Sequence, residues 1–217
     1  GPYSLTRLCV ETGGIYFAVH PNRKTGERVN RAETVPMSAY LEHFFDSKLM
    51  RKYRPEYTSV DEYKRRLGSS KMRSSLVKAA QLSWINSLDA PRLDFPKRDD
   101  ADFANQLTES QKAAARLEPK VNMLYETLKL GESERDAEIS PRWQAGFDLA
   151  LGRVIAVKVR TEAYNAMLAK AKRGMKFSSE QNDTWLLRPS DDISVGSQLQ
   201  KLAEKSRQIL TRVTQQH

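Results

Sequence analysis

The 217-residue sequence predicts a mainly α fold: a multi-helix array around one long central helix, with a minor β element near the N-terminus. Three observations lead there. One long run, "SPRWQAGFDLALGRVIAVKVRTEAYNAMLAKAKRGM", carries start and stop signals at its two ends. Several shorter segments repeat apolar residues every three or four positions between prolines and glycines. A single short run, Ile15 to Val19, is apolar throughout, the pattern of a strand covered on both faces.

Ser4 is placed to cap an opening helix with Leu5, Leu8 and Cys9 on one face, and Gly13-Gly14 ends it. The strand Ile15 to Val19 follows. Its expected state is an exposed edge, a pairing with the short strand "TWLLR", or a pairing with another copy of the chain. Polar residues, Gly26 and two prolines then make His20 to Pro36 a loop or linker. Ala39, Tyr40, His43 and Phe44 stand at helical spacing, and Asp46 suits the cap of a short helix that Pro55 breaks. Ser59 opens the next helix, with Asp61 and Glu62 in its first turn, Lys64 to Arg66 in its last and Gly68 as its stop. A further helix is expected from Ser70 to about Ile85, through Met72, Leu76 and Ala79. The segment "NSLDAPRLDFPKRDD", with two prolines, reads as an interruption.

Thr108 and Gln111 match a capping box, which predicts a helix from there to about Leu130, closed by Gly131 and kinked or divided by Pro119. The long run gives the central helix. Ser140 caps it, Pro141 suits its first position and Gly174 its stop, so about 33 residues span roughly 50 Å. Trp143, Phe147, Ala150, Val154, Val157, Tyr164, Leu168 and Ala171 mark its apolar stripe. "TWLLRP" reads as a short strand, and Gly196 to about Thr214 as a last amphipathic helix.

The organisation expected is therefore residues 1–20 as the tail of a truncated domain, 21–36 as a linker and 37–217 as a helical domain. The lone Cys9 excludes an intrachain disulfide and leaves the compartment open. No run of about 18 apolar residues occurs, so no membrane-spanning segment is expected in this chain.

The formal net charge is +9, and its excess concentrates between Lys48 and Lys78, where ten Lys or Arg face three acids. Tyr53, Tyr57 and Tyr63 are interleaved. Cations grip phosphates and aromatic rings stack on bases, so Arg51, Lys52, Tyr53, Tyr57, Lys64 and Arg65 form a candidate polyanion-binding set. The competing reading is a solvated face with core-anchored tyrosines.

Catalytic and metal sites are expected to be absent, and no cofactor is implied. The three histidines, 20, 43 and 217, lack metal-ligand spacing. Ser75 and Lys78 match S-x-x-K without its companion motifs. The acid pairs Asp99-Asp100 and Asp191-Asp192 stand beside helix starts, where capping accounts for them.

The opening "SLTRLCVETGGIYFAVHPN" resembles the end of a von Willebrand factor A-type (vWA) domain: last helix, glycine turn and last strand. Together with "FFDSKLMRKYRPEY", "RWQAGFDLALGRVIAVKVRTEAYNAML" and "DTWLLRPSDDISVGS", it resembles the C-terminal part of large vWA-domain proteins of planctomycete bacteria. The resemblance implies that the body of the vWA domain, with any D-x-S-x-S metal motif, lies upstream. Asp192, Ser194 and Gly196 approach that motif but depart from it at the fifth position, so Asp192 and Ser194 are assigned to capping.

The function expected is a noncatalytic interaction or structural region C-terminal to a vWA-type domain, with an unidentified protein as partner. Self-association through Ile15 to Val19 is a further expectation. The alternative is nucleic-acid or polyanion binding through residues 48–78. A basic patch in an envelope-associated parent would meet acidic polymers or anionic lipid headgroups equally well.

Overall fold

The structure is a computed structural model that describes residues 4–5, 8–9, 47–56, 58–83, 91–174, 176–179, 181–188, 190, 193 and 196–217. The expected strand Ile15 to Val19, the 21–36 linker, the helix through Ala39 and Phe44, Tyr57, Asp191, Asp192 and Ser194 lie outside these residues. The chain divides into two compact units, 1–59 with 140–142, and 60–139 with 143–217.

The fold is mainly α with a minor β element, as the sequence predicts. In the first unit, Ser4, Leu5, Leu8 and Cys9 are helical. A single turn, α1 (Ser47–Met50), continues into a 3-10 turn over Arg51–Tyr53 before Pro55. The second unit holds α2 (Val60–Gly68), α3 (Lys71–Ser83), β1 (Asp94–Pro96), α4 (Asp100–Lys129), a 3-10 segment (Glu132–Ala137), nearly all of α5 (Pro141–Lys172), β2 (Thr184–Leu186) and α6 (Ser197–Gln216).

The helix α4 starts nine residues earlier than its capping box suggested. Asp99 is the N-cap, its Oδ1 accepting from the Asp102 amide at 2.7 Å. Thr108 lies inside the helix and its Oγ1 donates back to the Ala104 carbonyl at 2.7 Å, so its hydroxyl is spent within the helix and caps nothing. Nor does Pro119 divide the helix. The ladder bond that proline removes would have used the Ala115 carbonyl, and both residues are exposed, so water can serve the freed oxygen.

Gly131 does close α4, for a reason the sequence did not carry. Its φ is −91°, open to any residue. A Cβ there would lie 2.3 Å from Ser75 Oγ and 2.6 Å from the Met72 Cα, because the start of α3 lies directly against it. Glu134, just beyond, places Oε2 on the amides of Lys71 (2.6 Å) and Met72 (3.4 Å). A carboxylate thereby satisfies orphan donors at the positive end of α3. Ser70 adds its own cap, its Oγ accepting from the Arg73 amide at 3.2 Å.

The helix α5 is the central element of its unit. Phe147, Leu151, Ile155 and Val159 pack with Met72, Ala79, Tyr125, Leu128 and Ile209 in one buried cluster. Further along, Tyr164, Leu168 and Ala171 pack with Phe95, Leu107 and Ala114 in a second. Gly152 marks the crossing with α6: a Cβ would fall 2.8 Å from Leu210, and Ser206 Oγ donates to the Gly152 carbonyl at 2.8 Å. At the far end Gly174 has φ +101°, the left-handed stop its position predicted.

The segment read as a proline-broken interruption contains a strand. Asp94, Phe95 and Pro96 pair antiparallel with Leu186, Trp185 and Thr184. "TWLLR" thus finds its partner in β1, and the described sheet has two strands. Phe95 is fully buried, and its burial against α4 and α5 secures a ladder too short to stand alone.

Candidate functional site

The candidate polyanion set is divided by the fold. Arg51, Lys52 and Tyr53 form the 3-10 turn of the first unit, Lys64 and Arg65 belong to α2 in the second, and Tyr57 lies outside the described residues. Arg51, Lys52 and Lys64 are exposed, whereas Tyr53 is half-buried and its carbonyl accepts from Arg142 Nη1 at 3.2 Å. Arg65 is committed to Glu62 through Nε at 2.8 Å and Nη2 at 2.7 Å, and Arg66 Nε reaches the same carboxylate at 2.6 Å. Hydrogen bonds from Arg65 and then Arg66 hold the Glu62 carboxyl down to about 2. Part of the positive charge on α2 is therefore neutralised within the helix.

Ser75, of the S-x-x-K match, is buried, and its Oγ donates to the Met72 carbonyl at 2.9 Å, while Lys78 is exposed. Both are accounted for by packing and solvation. Asp99 of the first acid pair caps α4, in agreement with its reading. Before α6 stands Gly196, with no side-chain cap. Among the described residues, no group of three His, Cys, Asp or Glu gathers in a way that could hold a metal ion.

Two arrangements that the sequence did not disclose stand out. The first is a buried ion cluster. Asp148, on α5, has no exposed surface, and its carboxylate accepts from Arg135 Nη2 at 2.5 Å and Nε at 3.1 Å, and from Arg212 Nη2 at 2.6 Å and Nε at 3.0 Å. Arg135 comes from the 3-10 segment and Arg212 from α6, so one carboxylate ties three elements together. Burial opposes the charge on Arg135, but the hydrogen bonds and negative charges of Asp148 and Asp136 together outweigh it and its pKa moves up. His217, beside the cluster, is pushed down by burial, with Arg135 and Arg212 adding to the effect and Asp148 opposing it. The paired geometry marks this cluster as structural.

The second arrangement is a pair of adjoining hollows. One, of about 1040 Å³, lies between α5 and α6 and is floored by Val159, Met167, Leu187 and Leu210. The other, of about 740 Å³, lies between α4 and α5 and is lined by Asn105, Gln106, Ser110 and Thr161. Pro91, Arg160 and Tyr164 line both. Tyr164 is fixed there, its hydroxyl donating to the Arg92 carbonyl at 2.8 Å, and burial raises its pKa. Among the described residues, the charged side chains lining the two hollows are Arg92, Arg116, Arg160, Arg188 and Arg207 and the acid Glu109. That acid accepts from Lys112 at 2.7 Å. The arginines are scattered from position 92 to 207, so no window of sequence could have gathered them.

Comparison with protein-family models, with curated proteins and with solved structures returns no match for this chain.

Proposed function

We propose that this chain is a noncatalytic interaction or structural region that extends a vWA-type domain in a larger bacterial protein, and that its partner is a protein. The observation carrying this reading is the outer surface of α2. Val60 and Tyr63 lie three residues apart on that helix, 68% and 41% exposed, and α2 buries none of its residues. Apolar side chains held in solvent on one side of a helix give a protein partner surface to bury. Scaffold rigidity supports the same role: the Arg135–Asp148–Arg212 cluster and the close Gly131 and Gly152 contacts hold other elements of the second unit in one arrangement. No helix among the described residues is long and apolar enough to cross a membrane.

Photo-crosslinking tests the proposal. With a benzophenone amino acid at position 63 of the full-length protein in its source cells, a discrete protein adduct is expected, and Val60→Glu should abolish it. Adducts with nucleic acid in place of protein would overturn the reading in favour of the polyanion alternative, for which the exposure of Arg51, Lys52 and Lys64 is the supporting observation.

A further inference from the structure

We infer that the hollow between α5 and α6 is a docking groove for an acidic amphipathic helix of a partner protein. This goes beyond the docking surface on α2 and uses none of its residues. Both helices line the hollow at alternating steps of four and three residues. On α5 these are Ala156, Arg160, Ala163 and Met167, and on α6 they are Ala203, Arg207, Leu210 and Thr214. Such steps mark the single face of a helix that can receive the side chains of another helix. The α5 positions run over roughly 16 Å, about three turns. Ala156 and Ala163 keep that face low, so a partner backbone can come close.

An occupant must bring apolar side chains to this groove without bringing bare backbone, since Val159, Leu187 and Leu210 can pair no amide. A helix meets that condition because its backbone groups bond within it. The hydroxyls of the groove do not change the demand. Ser206 Oγ donates to the Gly152 carbonyl and Thr214 Oγ1 to the Thr211 carbonyl, each at 2.8 Å, so both protons are spent within the fold.

Charge selects the kind of helix. Among the described residues, the charged side chains lining this groove are Arg160, Arg188 and Arg207, all exposed. The guanidiniums of Arg160 and Arg188 make no hydrogen bond or ion pair with the described residues. Each can hold a carboxylate through two parallel N–H donors. Arg160 also lines the α4–α5 hollow, as does Arg116, so positive charge continues past the groove on that side. The acid there, Glu109, already accepts from Lys112 at 2.7 Å. A helix with an apolar stripe flanked by glutamates matches floor and arginines together, whereas a basic helix would meet like charge.

The test is a selection from displayed helical peptides of about 20 residues, roughly 30 Å of helix, with the 217-residue chain as bait. The peptides share a leucine stripe at heptad spacing and vary each flanking position among Glu, Gln and Lys. Glu-flanked sequences are expected to be enriched. In fluorescence anisotropy near physiological salt, the best of them should bind one-to-one. Its affinity should fall at least about tenfold with the double variant Arg160→Gln, Arg188→Gln, and by a similar factor when its leucines are dispersed around the helix at constant composition. Leu93→Glu should weaken it likewise, and Leu93 lines the groove while 46% exposed, so the fold tolerates the change. Photoleucine in the stripe, which needs no variant to fold, should label groove residues of α5 or α6. Enrichment of Gln- or Lys-flanked peptides, equal affinity for the dispersed peptide, indifference to the substitutions, labelling elsewhere, or equal displacement by single-stranded DNA would each overturn the proposal. Val60→Glu, which disables the α2 surface, should leave the peptide's affinity unchanged, so the two readings fail separately.

Discussion

Replacing Asp148 with Ala should be among the most damaging single changes the second unit can suffer. The carboxylate has no exposed surface and receives both guanidiniums in bidentate fashion, and the Arg135 side chain is only 9% exposed against 31% for Arg212. Arg212 can turn toward water when the carboxylate goes. Arg135 cannot do so without leaving the packed 3-10 segment, and a buried cation without its partner costs about 3–5 kcal/mol. For a domain of this size that corresponds to roughly 6–20 °C in melting temperature. Asp148→Asn keeps the shape and removes the charge, so it should lose a large part of the same stability. The triple variant Arg135→Met, Asp148→Leu, Arg212→Leu removes the charges together with their hydration cost. It should recover most of the loss, since apolar replacement of a buried ion cluster is often neutral or stabilising. Urea unfolding followed by circular dichroism, with linear extrapolation, measures all three. A loss below about 1 kcal/mol for Asp148→Ala, the magnitude of a surface pair, would show that Arg135 is not left buried without a partner.

Gly131→Ala should destabilise by about 1–3 kcal/mol through overpacking, because the nearest atoms include the Met72 backbone, which has no room to turn aside; a melting temperature equal to wild type would contradict the close approach. Glu62 should titrate near 2 where a free glutamate titrates near 4.5. Its folded pKa is depressed, so its contribution to α2 is fully present above the unfolded pKa and is lost as pH falls through about 2. Carbon-detected NMR of the Glu62 carboxyl reads this directly, and a midpoint at 4.5 would show the Arg65 and Arg66 pairs open in solution. For single-stranded nucleic acid, attraction should be weak and gone near physiological salt, because Arg65 is engaged by Glu62. Submicromolar affinity at physiological salt, lost on changing Arg51, Lys52 and Lys64 to Gln, would reverse the order of the two functional readings.

Where local chemistry suffices, the outcome is legible in the sequence. Proline at a first helical turn and glycine beyond the last one carry their meaning in their own backbone restrictions, so α5 runs Pro141–Lys172 where Pro141 to Arg173 was expected. The same holds for α2, whose acids and bases lie at the ends the helix dipole prefers, and for the short strand in "TWLLRP". Two start signals competed near α4, and the sequence could not rank them. Asp99 prevailed because the turns it adds bury Leu107 against α5 and Phe95, a gain that exists only in the folded unit.

How the scaffold is locked and where its hollows lie depend on the tertiary structure. Asp148 looks, in sequence, like one polar interruption in an apolar helix; its partners stand at positions 135 and 212. Gly131 reads as a conformational stop and proves to be a packing contact, since its neighbours come from residues 72 and 75. The arginine-rimmed hollows draw on α4, α5, α6 and the residues beside both strands. Periodicity reports which face of an element is apolar, whereas a site needs side chains from several elements to converge. That convergence is set by how the helices cross, which no single stretch of chain encodes.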